Sequence, residues 1–291
     1  MPSLIDIRRR IRSVKNTEQI TKALKMVSAA KLRRAQDRVI ASRPYVALLG
    51  KVLANVATAI EANAADAADE ETGENPLLAR RPERRVLLVL ITSDTGKAGA
   101  FNTNLIKAAQ RFTAERPDAA VTLETVGRKG RDFFRKRGAV ISGEYTGMAK
   151  APYAGVAAIA RKAIEMFRAG ETDAVYLIFN GFKSVMAQTL TVSRVLPAEA
   201  PKSAEPIDYI FDEPPAVILG ALLPKYVETA FYGALLESTA AEHGARMTAM
   251  DAATTNAGEM IDKLTLYMNR VRQASITKEI IEVVSGAAGA E

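Results

Sequence analysis

Apolar residues near the start of the chain recur at helical spacing. Leu4, Ile7, Ile11 and Val14 step by three and four, and Ile20, Leu24 and Val27 resume the pattern. Beyond Pro44, Val46, Leu49, Leu53, Val56 and Ile60 step the same way. An average step of about 3.5 residues is the seam of a coiled coil rather than the wider stripe of an ordinary globular helix. No proline falls between residues 3 and 43, and Ser3 with Asp6 fits a capped, acidic first turn. The pattern predicts one helix over residues 3–60, about 85 Å long at 1.5 Å per residue. Pro44 is expected to bend it or loosen a turn.

The other end of the chain supplies a second seam. Met247, Met250, Thr254, Ala257, Ile261, Leu264, Met268, Val271 and Ser275 alternate steps of three and four. Upstream, Leu219, Leu222, Tyr226, Ala230 and Phe231 keep helical spacing, and no proline follows Pro224. A helix over residues 215–286 is predicted. Two seams at opposite chain ends, with a domain between them, predict an antiparallel pair. The second seam is rich in small and flexible residues, so its methionines read as core filling rather than as cofactor ligands.

Between the helices the pattern alternates strand and helix. Residues 86–91, 120–126, 139–142, 174–179 and 188–195 read as strands, and residues 102–115, 129–137 and 152–169 as helices. The last two strands share no helix and are joined by NGFKSVMA, which reads as a hairpin. The expected fold class is α/β plus a long coiled coil, with a mostly parallel, Rossmann-like sheet carrying one antiparallel edge. Residues 61–84, rich in Ala, acid and Pro without apolar period, read as a flexible linker or insertion. The expected organisation is a first long helix of the coiled coil (1–60), that linker, an α/β domain (85–196), a Pro-rich connection (197–214) and a second long helix of the coiled coil (215–291).

Composition removes several classes of chemistry. The 291 residues contain no cysteine, which excludes disulfides, thiolate metal sites and cysteine nucleophiles, and only one histidine, His243. A multi-histidine metal site and a Ser-His-Asp relay are therefore not expected. No run of eighteen apolar residues occurs, so no membrane span is expected, and the N-terminus lacks the apolar core of a secretory signal. Charge is uneven. Residues 1–60 hold thirteen Lys or Arg against three acids, while the rest of the chain is net acidic. A basic helix is most often a solvated face; otherwise it meets nucleic acid, an anionic membrane surface or an acidic protein.

One stretch invites a nucleotide reading. In ITSDTGKAGAFN, residues 91–102, a strand runs into a glycine-bearing corner and a helix start, the usual setting of a phosphate cradle. A P-loop needs a Gly five residues before its Gly-Lys pair and a Ser or Thr after it; this chain has Ile91 and Ala98 there. The dinucleotide fingerprint fails too, because Gly96 and Gly99 have no third partner. The corner reads as a turn that starts a helix, with Asp94 or Asn102 as its cap and Lys97 as a solvated charge; a β-branched residue at position 96 is expected to be damaging if Gly96 has positive φ. Two alternatives stay open on residues alone: a basic coiled-coil protein that binds nucleic acid, and an α/β nucleotide-binding enzyme. The absence of aromatics over residues 1–44 disfavours the first.

Two long motifs carry a resemblance. IRRRIRSVKNTEQITKALKMVSAAKLRRAQ near the N-terminus and ARMTAMDAATTNAGEMIDKLTLYMNRVRQASITKEIIEVVSGA near the C-terminus resemble the gamma subunit of bacterial F-type ATP synthases. The resemblance implies a coiled-coil axle seated in the ring of alpha and beta subunits, and a Rossmann-like domain near the epsilon subunit and the c-ring. It implies a rotary shaft with no catalytic residue and no cofactor of its own, and no nucleic-acid partner. It also implies attachment through the complex to the cytoplasmic face of the inner membrane. Carried over by position, Met26 is the shaft methionine. Arg8, Arg9, Arg272, Gln273 and Thr277 fall in segments that couple shaft to ring. The family's corner motif is represented by Ser93, Asp94, Gly96, Gly99 and Asn102, whereas Thr95, Lys97 and Ala98 depart from it.

Overall fold

A computed structural model describes residues 3–66, 75–150, 153–184, 187–199 and 211–288. The chain order is α1 (Leu4–Asp66), β1 (Arg85–Ile91), α2 (Phe101–Ala114), β2 (Ala120–Val126), α3 (Arg128–Arg135), β3 (Ile141–Tyr145), a 3-10 turn (Met148–Lys150), α4 (Tyr153–Arg168), β4 (Ala174–Phe182), β5 (Gln188–Leu196) and α5 (Pro215–Ala288). Two compact units divide it: Met1–Ala29 with Arg246–Glu291, and Ala30–Ala245. Each long helix contributes to both.

In the first unit α1 and α5 pack along their seams. On α5 every position the spacing predicts, from Met247 and Met250 to Val271 and Ser275, is buried or half-buried, with Ala249, Ala253, Gly258, Thr265 and Asn269 half-buried beside them. On α1 the seam differs by one residue. Ile20 and Val27 point outward, while Thr21 and Ser28 are buried. The strict three-four step from Leu4 therefore passes through polar residues, which a search for apolar positions skips. Their hydroxyls are satisfied: Ser28 Oγ donates to Leu24 O at 2.7 Å and Thr21 Oγ1 to Glu18 O at 3.0 Å. Side chains this small bring the helix backbones close without leaving a buried polar group unpaired. The pairings descend α5 as they climb α1, with Leu4 beside Val271, Thr21 on Thr254, and Lys25 Nζ 2.5 Å from Asp251 Oδ1.

In the second unit a five-stranded sheet has the order β3-β2-β1-β4-β5. Its pairs are parallel except for the β4–β5 hairpin. Alternation along β1 divides the core in two. Val86, Leu88 and Leu90 face α2 and α3, whereas Leu87, Val89 and Ile91 face α4 and the long helices, joining Leu53, Val56, Leu223 and Val227. β1 is buried on both faces, as a central parallel strand requires. α1 is long and apolar enough to cross a membrane by length and composition, but in this unit its apolar side chains, such as Leu53 and Val56, are buried in the core. Ion pairs brace the layers. Glu228 of α5, 2% exposed, accepts hydrogen bonds from Tyr153 and Arg161 of α4 and from Lys225. Burial raises its carboxyl pKa, but these donors outweigh it and the net shift is downward. Burial, with the bond to Glu228, pushes Tyr153 up to about 12.

Several element boundaries differ from those expected. α1 continues through Pro44 and on to Asp66, six residues past the last periodic position. Part of the proposed linker is packed: Leu77 is fully buried and its carbonyl accepts Ala198 N at 2.8 Å, while Arg81 reaches Phe167 O at 3.2 Å. A single apolar anchor has no period to detect. Residues 67–74 of that linker, and residues 200–210 of the Pro-rich connection, lie outside the described residues.

Candidate functional site

The shaft candidates all belong to the first unit. Met26 is 63% exposed on α1, and Arg8, Arg9, Arg272, Gln273 and Thr277 are exposed on their helices. Helix geometry presents them: each lies off the buried seam positions, so its side chain is free to meet something outside the chain. Thr277 Oγ1 donates to the backbone carbonyl of Gln273 at 2.9 Å. Farther along α5, Ile276, Ile280, Ile281, Val283 and Val284 are exposed. A helix end that shows this many large aliphatic residues to solvent is an unpartnered surface.

The corner lies in the second unit, and its residues assemble as a brace. Asn102 Oδ1 accepts Ser93 N at 3.0 Å, Asn102 Nδ2 donates to Ser93 Oγ at 2.8 Å, and Ser93 Oγ donates to Thr95 O at 2.5 Å. Asp94 accepts Arg128 N through Oδ1 at 3.1 Å and Gly147 N through Oδ2 at 2.9 Å. It thereby joins the end of β1 to the start of α3 and to the turn after β3. Neither Asp94 nor Asn102 caps α2, whose cap position, Ala100, makes no side-chain bond. Positive φ falls on Lys97, at φ 64°, and on Gly99, at φ 55°, so the condition under which a side chain at Gly96 would be strained is not met. The non-glycine left-handed residue is thus Lys97, one position after the first glycine.

A second glycine pair was missed. At Gly127, with φ 98°, an added Cβ would lie 2.1 Å from Thr92 O, and at Gly130 it would lie 2.9 Å from Thr92 Oγ1. Thr92 Oγ1 also accepts Gly130 N at 2.9 Å. The spacing in GRKG, directly after a strand, was the available signal for this close approach of β1 and α3.

The strand order reverses between β1 and β4, and in an open α/β sheet the crevice at such a reversal is where a nucleotide binds. Here α5 fills it. Leu235, Ser238, Thr239 and Glu242 lie against Ile91, Thr92, Ser93, Asp94 and Gly127, leaving a cavity of about 20 Å³. That is roughly one water's worth of space. Two carboxylates, Asp94 and Glu242, line it, which opposes a phosphate electrostatically. The corner is a structural joint.

Similarity to known proteins extends along the whole chain. The profile of a family described as ATP synthase matches residues 3–289. An ATP synthase gamma chain of Solibacter usitatus is 71% identical over 292 residues, covering all of both chains. One from Pelotomaculum thermopropionicum is 50% identical, again over all of both. Among solved structures, a chain of the Euglena gracilis mitochondrial ATP synthase, in an assembly of OSCP, F1 and c-ring, superposes with a TM-score of 0.65 at 19% identity, covering 98% of this chain and 94% of that one. A chain of the Tetrahymena thermophila central stalk and c-ring gives 0.61 at 23% identity, covering 80% and 99%.

Proposed function

The chain belongs to the ATP synthase gamma-chain family, and on that premise we propose that it is the central rotor shaft of a proton-translocating F-type ATP synthase. Its partners are the alpha and beta subunits of the catalytic ring, the epsilon subunit and the c-ring. It is a subunit of an enzyme and itself non-catalytic, in keeping with the filled crevice at the strand ends. The complex is membrane-associated, and we place this chain on the cytoplasmic face of a bacterial inner membrane.

One observation carries the reading: Ile276, Ile280, Ile281, Val283 and Val284 are exposed on a helix end that the described residues leave uncovered. An apolar sleeve of ring loops would cover them without charge pairs that resist turning. The mechanism is a bias among conformations. Each catalytic site has states of different affinity for ADP, phosphate and ATP, and an asymmetric shaft contacts those states differently at each angle. Met26, Arg8, Arg9, Arg272, Gln273 and Thr277 are the side chains we assign to those contacts; Arg8 and Arg9 suit acidic loops of the ring.

Copurification tests this directly. A tagged chain recovered from membranes should bring with it alpha, beta, epsilon and c subunits and hydrolyse ATP. Recovery free of them, or with nucleic acid in their place, would overturn the assignment.

A further inference from the structure

Helix α3 and the residues just after it form a strongly basic surface of the second unit. Arg128, Lys129, Arg135, Lys136 and Arg137 are all exposed within ten residues. Three acids lie near this surface: Asp132 is taken by Arg131 at 2.8 Å, Asp94 by backbone amides, and exposed Glu144 adds its attraction at Arg131. Arg128, Lys129, Arg135 and Lys136 have no carboxylate within ion-pair distance among the described residues. Fold stability does not explain the cluster. A cation in the last turn of a helix offsets the helix dipole, which accounts for Arg135; cations at the N-terminus oppose it, and Arg128 and Lys129 sit there. Like charges this close also repel one another.

We propose that this face docks on anionic phospholipid headgroups. Its chemistry suits a diffuse anionic sheet better than an acidic protein. The one aromatic ring facing outward, Phe133, is half-buried and covered by Arg137, whose guanidinium lies 3.8 Å from the ring centre. The face thus lacks the buried aromatic or aliphatic anchor that a specific protein contact is built around. Val140, 67% exposed, is the one large apolar residue beside it. A cluster of Lys and Arg next to a bilayer attracts acidic lipids with a strength that grows with each charge. For a rotating subunit this partner has a further merit. Headgroups are laterally mobile, so they neutralise the cluster at every angle, whereas fixed protein carboxylates would favour particular angles. The proposal uses the functional reading for the nearness of a bilayer and for rotation.

The test uses the ATP-hydrolysing catalytic sector assembled around this chain, and vesicles of phosphatidylglycerol and phosphatidylcholine in equal parts. The triple variant Arg135→Gln, Lys136→Gln, Arg137→Gln is compared with a charge-matched control, Lys107→Gln, Arg111→Gln, Lys183→Gln. At low ionic strength the α3 variant should bind vesicles about a hundredfold more weakly than the parent, and salt should abolish parental binding. The control should stay within a few-fold of the parent, and ATP hydrolysis should be unchanged in both. Equal losses in the two variants, or none in either, would overturn the proposal. So would unchanged vesicle binding with loss of a cross-link from position 136 to another subunit, which would identify an acidic protein as the partner. If the sector fails to assemble, it is the functional reading that falls, and the same vesicle comparison is made on the full chain alone.

Discussion

Thr254 Oγ1 lies 2.8 Å from Thr21 Oγ1, a hydrogen bond across the seam between residues 233 positions apart. Thr21 donates to Glu18 O at 3.0 Å, and Thr254 Oγ1, with one proton, has two acceptors at 2.8 Å, Thr21 Oγ1 across the seam and Met250 O in its own helix. A polar pair at a seam position favours one register: sliding either helix loses the cross-seam bond, although each hydroxyl keeps a carbonyl acceptor in its own helix. Thr254→Val should cost about 1 kcal/mol. Thr21→Val with Thr254→Val should recover most of that loss, since both polar groups are then gone. Denaturant unfolding of the four chains in a double-mutant cycle measures the coupling. Strictly additive losses would show that the two hydroxyls do not cooperate.

The corner yields a graded series. Lys97 holds a left-handed conformation that costs a side-chain-bearing residue about 1–2 kcal/mol. Lys97→Gly should therefore raise the melting temperature, Lys97→Val should lower it, and Lys97→Ala should change stability by no more than about 0.5 kcal/mol. Gly96→Val should be tolerated: its φ is ordinary, and a Cβ there would meet only the end of Lys129 at 3.7 Å. Gly127→Ala should prevent folding, because no side chain can move Thr92 O out of the way. ATP-driven pumping of assembled complexes should follow stability throughout. An assembled but inactive Lys97→Ala complex would restore the nucleotide reading.

What could be read from the sequence depended on whether a feature repeats. The unbroken apolar run of β1 and the three-four spacing of α5 are written many times over, so strands, helices and their order emerge from pattern alone. Thr21 and Ser28 hid half of the α1 seam because they bury hydroxyls satisfied by backbone carbonyls, which no hydropathy count detects. Leu77 anchors a segment through one side chain, and Asp94 braces α3 rather than α2 through contacts 34 and 53 residues away. Single long-range contacts leave no local trace. The shaft residues were found by resemblance: an exposed methionine and exposed arginines look, by spacing alone, like any solvated helix face.

Glu124 is fully buried, with Oε1 2.7 Å from Lys162 Nζ. Its Oε2 has no hydrogen-bond partner. Removing only the cation, as in Lys162→Met, strands that carboxylate and should destabilise the domain by about 3 kcal/mol or more. Glu124→Met with Lys162→Met should be near neutral or better, since an apolar pair of similar volume avoids the desolvation cost. Thermal melting of single and double variants decides. A double variant as unstable as Lys162→Met would mean the ion pair itself holds α4 to the sheet.

Glu237 gives a pH dependence of known sign. Burial raises its carboxyl above the ordinary value, against a hydrogen bond from Phe182 N and the attraction of Arg43. A raised folded pKa means that the stability this group contributes is complete below its unfolded value and is lost as pH rises through the folded one. At neutral pH the charged form is therefore a burden. Glu237→Gln should raise the melting temperature at pH 7, and the gain should shrink toward zero as pH falls to about 4. A gain independent of pH would point to packing rather than to charge.

Met26 supplies the last prediction, because its exposure separates shaft stability from coupling. At 63% exposure it contributes little to the core, and lysine is about as good a helix former as methionine. Met26→Lys should thus leave helix stability within about 0.5 kcal/mol. A consequence for function must then arise outside the chain. A new cation at the ring surface would form a charge pair in one rotational state, and each turn would have to break it in a partly desolvated interface. ATP hydrolysis should persist while protons pumped per ATP fall, whereas Met26→Leu, which adds no charge, should behave as the parent. The measurement is hydrolysis and pumping on the same reconstituted vesicles. Parallel loss of both activities would indicate failed assembly, and full retention of both would remove Met26 from the contact surface.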